Sequence, residues 1–241
     1  MVDKQSPLPI YYQIEEDLKQ RIKNKEFKTF DMIPSERELS ETFEVSRMTV
    51  RQAITNLVNE GVLYREKGRG TFVAEEKIEQ PLQGLTSFTE DMKTRGMEAS
   101  SKLLTFEKVS APYDISRKLE TKEEASVYKI QRIRYADKKP MAIETNFLSV
   151  DMFPDLNEQA VHGSLYSYIE KMKKQAIGKA HQVIEATTAD ENQAALLDIP
   201  VGSAILSIER HSCLADGTPF EVVKSSYRAD RYKFISDIYR M

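Results

Sequence analysis

The segment 46–52 places polar side chains where they can contact a nucleic-acid duplex. Its hydroxyl, guanidinium and amide groups belong to Ser46, Arg47, Thr49, Arg51 and Gln52. Arginine can bind O6 and N7 of guanine with two hydrogen bonds, and glutamine can do the same for adenine. Hydroxyl groups and the free amides of a helix N-terminus suit phosphate. Because Arg47 and Arg51 are four residues apart, a helix would project both from one face.

A second basic group follows at 67–70, where the sequence reads Lys67, Gly68, Arg69 and Gly70. Glycines let a backbone approach a partner closely, and an arginine at a hairpin tip can enter a minor groove, where the potential is most negative. Taken alone, each group has an ordinary explanation. Two arginines on a helix face are usually solvated, and many hairpins have a glycine-rich tip.

The elements that would carry these residues lie within the first 75 residues. Ile10, Ile14, Leu18 and Ile22 recur every four residues, which predicts a helix with one apolar face. A second, short helix should begin after Ser35, whose hydroxyl can cap the N–H three residues later while a glutamate reaches back.

A third helix is predicted to follow a tight break at 44–45, with Ser46 as its cap and Gly61 as its terminator. Its apolar face would hold Val50, Ala53, Ile54, Leu57 and Val58. The segments 62–64 and 71–73 then read as the two strands of a hairpin. Helix, short helix, turn, helix and hairpin is the order of a winged helix-turn-helix, in which the second helix of the motif enters the major groove.

The overall charge of the chain does not indicate nucleic-acid binding. The 241 residues contain 35 Lys and Arg and 38 Asp and Glu, a net charge of −3, whereas nucleic-acid binders usually have a basic balance. The average hides a local patch, because 45–72 holds five basic and two acidic residues, a net charge of +3. The charge therefore argues for few phosphate contacts and modest non-specific affinity.

Other features exclude whole classes of protein. The single cysteine, Cys213, rules out an intramolecular disulfide framework or a thiolate metal cluster, and it is expected to be a small buried hydrophobe. The first ten residues do not resemble a secretory signal, and no apolar run approaches the roughly 20 residues that span a bilayer. The sequence thus predicts a cytoplasmic protein with no membrane contact, no metal site and no cofactor.

The rest of the chain contains an internal repeat. We predict a linker over 75–83, after which 119–132 aligns with 197–210 at an offset of 78, so that Arg132 matches Arg210. Each copy reads as a short helix, a strand ending at that arginine, an Asp-centred turn and a second strand. Two such units predict an antiparallel sheet covered by helices on one face, an α+β domain.

Several polar residues of this half could form a pocket for a sugar phosphate. Thr86, Ser87 and Thr89 offer hydroxyls where a helix could begin, which favours an anion. Arg132 and Arg134 lie two apart on one strand and could grip the same phosphate.

Two carboxylates, Glu144 and Glu221, have the same strand parity in the aligned repeats and suit sugar hydroxyls or an amino group. Ordinary alternatives exist for all of these residues: Arg132 could pair with Glu144 across the hairpin, and Ser87 and Thr89 could be a plain helix cap.

Three motifs of the first half resemble the GntR family of bacterial transcription regulators. They are 34–39 (PSEREL), 45–51 (VSRMTVR) and 68–73 (GRGTFV), and the resemblance covers about residues 5–75. It implies that Arg37 contacts the DNA backbone or a base, that Arg47 and Arg51 lie in the major groove, and that Arg69 lies in the minor groove.

The second half resembles the HutC-type effector domain, or UTRA domain, which has a chorismate-lyase-like fold. The resemblance rests on 83–92 (QGLTSFTEDM) with Arg95 and Gly96, and within this group the chain is most similar to repressors of N-acetylglucosamine utilisation. It implies an effector site that also includes Phe88, Ser164, Tyr166, Tyr227 and Arg228, and a response to glucosamine 6-phosphate or N-acetylglucosamine 6-phosphate.

The expected architecture is therefore a DNA-binding domain at 1–75, a linker and the start of the effector domain at 76–90, and an effector-binding and dimerisation domain at 91–241. A homodimer would read double-stranded operator DNA at half-sites about one helical turn apart. The alternatives are a regulator that answers another phosphosugar, a sugar-phosphate enzyme fused to a DNA-binding module, and an architectural DNA protein without a ligand. No nucleophile motif, metal set or cofactor loop accompanies the two carboxylates, which favours the sensor.

Overall fold

The computed structural model describes residues 2–172 and 174–240 and divides into two compact units, Met1–Ile78 and Glu79–Met241. The predicted end of the first domain at residue 75 lies just before this division. In the first unit, helices α1 (Ile10–Lys23), α2 (Glu36–Thr42) and α3 (Arg47–Asn59) precede a hairpin of β1 (Leu63–Glu66) and β2 (Gly70–Val73). This is the predicted winged helix-turn-helix.

One apolar core holds the three helices and the hairpin together. The buried residues are Ile14, Leu18, Ile33, Leu39, Phe43, Val50, Ala53, Ile54, Leu57, Leu63 and Val73. Both predicted caps form, since Ser35 accepts from the Glu38 amide at 3.2 Å and Ser46 accepts from the Thr49 amide at 3.2 Å. The break between α2 and α3 falls where predicted, with Glu44 at φ +51°.

The second unit is built on a six-stranded antiparallel sheet. Its strands are β4 (Ala99–Ser110), β5 (Ser126–Ala136), β6 (Lys139–Ser149), β7 (Ile177–Thr188), β8 (Ala204–Leu214) and β9 (Pro219–Arg228), in the order β4-β5-β6-β9-β8-β7. Helix α4 (Phe88–Thr94) precedes β4, α5 (Tyr113–Lys118) precedes β5, and α8 (Glu191–Leu197) precedes β8. Between β6 and β7 lie the short helices α6 (Glu158–Val161) and α7 (Leu165–Ser167) and a π-helical segment (Tyr168–Met172).

The predicted repeat corresponds to the two halves of this sheet. The units α5-β5-β6 and α8-β8-β9 meet at the β6–β9 pair in the centre. The strands predicted to end at Arg132 and Arg210 instead continue to Ala136 and Leu214, because β4 and β7 extend their pairing.

Helical segments cover both faces of the sheet, so the prediction of helices on one face was wrong. The clusters around α5 and α8 include Phe147 and Ile143, whereas the 153–169 region packs on Leu148, which projects to the opposite face. Helices α6 and α7 have only four and three residues, too few to show a helical period in the sequence.

A further strand lies inside the predicted linker 75–83. Strand β3 (Ile78–Pro81) pairs with β10 (Tyr232–Ile235) near the end of the chain. Its pairing partner is about 150 residues away in sequence, so no local pattern could indicate it. No helix of the described residues is long and apolar enough to cross a membrane.

Candidate DNA-binding surface and ligand site

The start of α3 presents the side chains predicted to contact DNA. Arg47 is the first residue of the helix, and it is exposed, as are Ser46, Arg51 and Gln52. The hydroxyls of Ser46 and Thr49 lie 2.9 Å apart, so each partly satisfies the other. The opposite side of α3 is buried in the core, which fixes the exposed face outward.

Glu36 at the start of α2 holds two arginines of this surface. Its Oε2 accepts from Nε and Nη2 of Arg51 at 2.9 and 2.8 Å, and its Oε1 lies 3.7 Å from Nη2 of Arg65. The hydrogen bond and charge of Glu36 raise the pKa of Arg51. Sequence reasoning did not single out Glu36, although its place directly after the cap Ser35 is visible in the motif at 34–39. Arg37 is exposed and lies 3.8 Å from Glu41.

The hairpin tip presents Lys67, Gly68 and Arg69 to solvent. Arg69 pairs with Glu66 and lies over the Phe72 ring, 5.7 Å from its centroid. Gly70 has φ +141°, and a Cβ there would lie 3.0 Å from Sδ of Met32. Glycine is therefore required at Gly70 by the hairpin itself, before any partner is considered.

In the second unit, the sheet register brings the predicted polar residues to one face. Arg132 lies opposite Glu144, and Arg210 lies opposite Val223 on β9. Opposite residues of antiparallel strands project to the same side. We call this group the polar cluster; its members are Arg132, Arg134, Glu144, Asn146, Arg210 and Glu221.

Arg132 is almost fully buried and uses both of its Nη atoms. Nη1 donates to the carbonyl oxygens of Val161 and Gly163 at 2.7 and 3.1 Å. Nη2 donates to Glu144 at 3.3 Å and to Asn146 Oδ1 at 3.2 Å. Desolvation lowers the pKa of Arg132 to about 10 despite the attraction of Glu144. The cross-strand pair considered as the ordinary alternative is thus present.

Arg134 links the sheet to α4. Its Nη1 donates to Glu144 at 3.1 Å, its Nη2 donates to Thr89 Oγ1 at 2.9 Å, and its guanidinium lies 4.7 Å from the Phe88 ring centroid. Glu144 accepts from two guanidinium groups. Burial raises its pKa, but the charges of Arg134 and Arg132 outweigh burial and leave it below the ordinary 4.5.

Glu221 has a different environment, although it is as deeply buried. Its Oε1 accepts from Asn146 Nδ2 at 2.8 Å, and its Oε2 accepts from Ser212 Oγ at 3.4 Å. The Ser212 hydroxyl lies 3.1 Å from the Tyr166 hydroxyl. Burial raises the pKa of Glu221, and burial also raises the pKa of Tyr166 to about 12. The two carboxylates converge as predicted, with Asn146 between them.

The N-terminus of α4 is already capped from within. Ser87 accepts from the Glu90 amide at 3.3 Å, and its own amide and hydroxyl donate to Glu90 Oε2 at 2.8 Å each. Thr86 donates to Asp91 Oδ1 at 2.7 Å, and Ser164 donates to Ser87 Oγ at 3.3 Å. Ser87 is thus the ordinary helix cap of the alternative reading, and an anion would have to displace Glu90.

Two cavities adjoin the polar cluster. The smaller, about 30 Å³, is lined by Thr86, Ser87, Phe88, Arg132, Arg134, Glu144, Asn146, Ser164, Leu165, Tyr166, Arg210, Glu221 and Val223. That is about the share of one water molecule in the liquid. The larger, about 320 Å³, shares Thr86, Phe88 and Arg210 with it and adds Tyr227, whose ring packs edge-on against Tyr232. Only the larger cavity has the volume usual for small-molecule sites.

Arg210 belongs to this site and was missed by sequence reasoning. It lines both cavities and donates from Nη1 to the carbonyl oxygen of Thr86 at 3.3 Å. Its Nε is buried without a hydrogen-bond partner among the described residues. Burial lowers the pKa of Arg210. The interactions with Tyr166, Tyr227 and the two carboxylates raise it by more, so the pKa of Arg210 lies above the ordinary value. The repeat had already paired Arg210 with Arg132, and that was the signal for it.

Two histidines and the single cysteine lie outside the polar cluster. His181 and His211 face one another across β7 and β8, on the side of the sheet away from the polar cluster. Cys213 is buried and free, as predicted.

Comparison with known proteins bears on both units. The gntR family of bacterial regulatory proteins matches residues 10–73, and the UTRA domain matches residues 94–233. The HTH-type transcriptional repressor NagR of Bacillus subtilis (strain 168) is 48% identical over 234 residues, which cover 97% of this chain and 96% of that protein. The mannosyl-D-glycerate transport/metabolism system repressor MngR of Escherichia coli (strain K12) is 35% identical over 226 residues, 94% of each protein.

A solved structure agrees over nearly the same length. The crystal structure of PhnF from Mycobacterium smegmatis superposes with a TM-score of 0.69 at 31% identity, covering 95% of this chain and 100% of that one. With both family models matched and a repressor 48% identical along almost the whole chain, the protein belongs to the GntR family of bacterial regulatory proteins, in the group with a UTRA domain, and is a transcriptional repressor rather than an enzyme.

Proposed function

We propose that this repressor binds operator DNA as a homodimer and is released by an amino-sugar 6-phosphate, either glucosamine 6-phosphate or its N-acetyl form. The observation that carries the effector assignment is the composition of the polar cluster beside the 320 Å³ cavity. Three guanidinium groups face two carboxylates there, so the cluster has an excess of positive charge that an anion can balance.

The phosphate group would bind between α4 and the arginines. Arg134 and Arg210 are the best placed, because Arg210 lines both cavities and Arg134 lines the smaller one, where it bonds to Thr89 of α4. A phosphate that draws on Ser87 would replace the Glu90 carboxylate as the acceptor of its hydroxyl and amide. Arg132 would support this arrangement from below through its bonds to the 161–163 backbone.

The sugar ring would use the carboxylates and the aromatic side of the cavity. Glu221 and Glu144 are acceptors suited to ring hydroxyls or an amino group, and Tyr227 lines the larger cavity. The choice of an amino sugar rests on the resemblance to repressors of N-acetylglucosamine utilisation and on the relation to NagR. The chain is also similar to MngR, which is named for mannosyl-D-glycerate, so other sugar derivatives have to be tested as effectors as well.

The DNA contacts would come from α3 and the hairpin. Arg47, Arg51 and Gln52 would read base edges in the major groove, and Arg69 would enter the minor groove. Arg37 would contact the DNA backbone or a base. The contacts that position the protein on the phosphates would come from Ser35, Ser46, Thr49, Lys67, Gly68 and Gly70. Release then requires the ligand to favour a geometry that binds DNA poorly, and couplings of about 1–3 kcal/mol are usual.

Calorimetric titration tests the effector assignment. The full chain is titrated with glucosamine 6-phosphate, N-acetylglucosamine 6-phosphate, glucose 6-phosphate and inorganic phosphate. We expect the two amino-sugar phosphates to bind at least tenfold more tightly than the others and to release an operator selected from random duplexes. Equal binding of all three sugar phosphates would assign the site to phosphosugars in general, and binding of none would overturn the proposal. Sedimentation of the unliganded chain tests the dimer.

A further inference from the structure

A buried carboxylate lies behind the DNA-binding face of α3. Glu15 of α1 is only 4% exposed and accepts a hydrogen bond from Nδ2 of Asn56 on α3 at 2.6 Å. Its neighbours along α1, Ile14 and Leu18, are core residues. A charged group is seldom buried at a helix–helix contact unless it is paired or hydrogen-bonded there.

The bond from Glu15 fixes which way the Asn56 amide points. A carboxylate offers only acceptors, so Asn56 must turn its NH₂ group toward Glu15 and its oxygen away. That oxygen accepts from Nε2 of Gln52 at 2.8 Å. Gln52 is exposed, one helical turn before Asn56 on the same helix.

The orientation of the Asn56 amide therefore sets the orientation of the exposed Gln52 amide. Asn56 Oδ1 accepts from one of the two N–H groups of Gln52, which leaves the amide oxygen of Gln52 to face a partner. That oxygen accepts from the exocyclic amines of adenine or cytosine, whereas an amide turned the other way would present only N–H donors, which suit the keto oxygens of thymine or guanine.

We infer that Glu15 is a positioning residue for base recognition: through Asn56 it sets the amide orientation of Gln52, so that Gln52 selects a base with an exocyclic amine. The inference rests on the proposed role of Gln52 in reading DNA. It adds a residue that touches no DNA and a preferred base class. An isosteric change to glutamine at position 15 would remove the constraint, because a glutamine can present either its oxygen or its NH₂ group to Asn56.

The test is a selection of bound duplexes from a library with randomised half-sites, followed by affinity measurements on single-base variants of the selected operator. The variants are Glu15→Gln, Gln52→Ala, both together, and Glu16→Gln as a matched control. Glu16 is the next residue of α1 and pairs with Lys19, so its change removes the same charge without touching the amide chain. Unfolding curves confirm that each variant folds.

We expect wild type and Glu16→Gln to prefer adenine or cytosine at one operator position, and Gln52→Ala to lose that preference. Glu15→Gln should weaken it about three- to tenfold, the range for one hydrogen bond, with no further effect when Gln52 is already alanine. A wild-type preference in Glu15→Gln, or a change that persists without Gln52, would overturn the inference. If Gln52→Ala changes the base preference at no operator position, the proposed role of Gln52 in reading DNA is contradicted, and not the orienting role of Glu15.

Discussion

Arg51 and Arg69 of the DNA-binding surface are exposed and singly paired, whereas Arg132 and Arg134 of the polar cluster are buried and share one carboxylate. The side chains of Arg51 and Arg69 are 56% and 72% exposed, and each pairs with one nearby glutamate. Those of Arg132 and Arg134 are 2% and 4% exposed, and both bond to Glu144.

This difference sets what each surface can do. An exposed ion pair is worth little in water, so Arg51 and Arg69 can exchange their glutamates for DNA at small cost. A buried arginine cannot leave its partners without exposing unsatisfied groups, so a ligand of the polar cluster must replace one set of bonds with another. The first surface is therefore available as it stands, whereas a ligand has to compete for Arg132 and Arg134 with the groups that already hold them.

The largest effect should come from removing a buried arginine. We expect Arg132→Ala to destabilise the second unit by about 3–5 kcal/mol, since it removes one of the two guanidinium partners of buried Glu144 and the donor of two backbone carbonyls. Denaturant unfolding of the full chain measures this. The exposed Arg37→Ala serves as the control and should change stability by less than about 0.5 kcal/mol. Equal losses in both variants would contradict the contrast between the two regions.

The next effect separates the two buried carboxylates by pH. Glu144 has a lowered pKa, so its stabilisation is present above the ordinary 4.5 and is lost as the pH falls through the lowered value. Glu221 has a raised pKa, so the stabilisation from its protonated form is present below 4.5 and is lost as the pH rises through the raised value.

Glu144→Gln should therefore lose about 2–3 kcal/mol at neutral pH, the worth of bonds to two charged groups, and less in acid. Glu221→Gln should match or exceed wild-type stability at neutral pH and lose that advantage in acid. Unfolding midpoints from pH 3.5 to 7.5 check both. Parallel pH profiles for the two variants would show that the arginines do not distinguish the carboxylates.

On the exposed surface the effect should appear in binding and not in folding. Arg47→Ala and Arg51→Ala are each expected to lose about 1–3 kcal/mol of specific operator affinity, with unfolding curves unchanged within about 0.5 kcal/mol. Fluorescence anisotropy with a selected operator measures the first quantity. Wild-type affinity in both variants would remove α3 from the role of reading helix.

How much the sequence could predict follows from how local each feature is. The caps at Ser35 and Ser46 depend on an amide three residues away, so they could be predicted. Strand parity placed Arg132 and Glu144 in the polar cluster. The carbonyls of 161 and 163 that accept from Arg132 lie at the end of the four-residue helix α6 and in the bend after it, which have no sequence period of their own. Strand β3 depends on a partner near the chain end. Arg210 was within reach, because its alignment with Arg132 placed it at the equivalent position of the second half.

The smallest expected effect compares two serines that make the same local structure in the two regions. Ser35 and Ser87 each complete a capping box, with Glu38 and Glu90. Alanine at either position should cost about 1 kcal/mol of stability.

Substitution by aspartate distinguishes helix capping from ligand binding, because an aspartate carboxylate can accept the same amide hydrogen bond but repels an anion. Ser87→Asp should retain most of the stability lost in Ser87→Ala and yet bind glucosamine 6-phosphate at least tenfold more weakly, with operator affinity in the absence of ligand unchanged. Ser35→Asp should show the reverse, with weaker operator binding and unchanged ligand binding. Calorimetry and anisotropy on the same four variants supply the comparison. If Ser87→Asp bound the sugar phosphate normally, the phosphate would not lie at the start of α4. The ligand would then have to contact the polar cluster at another point.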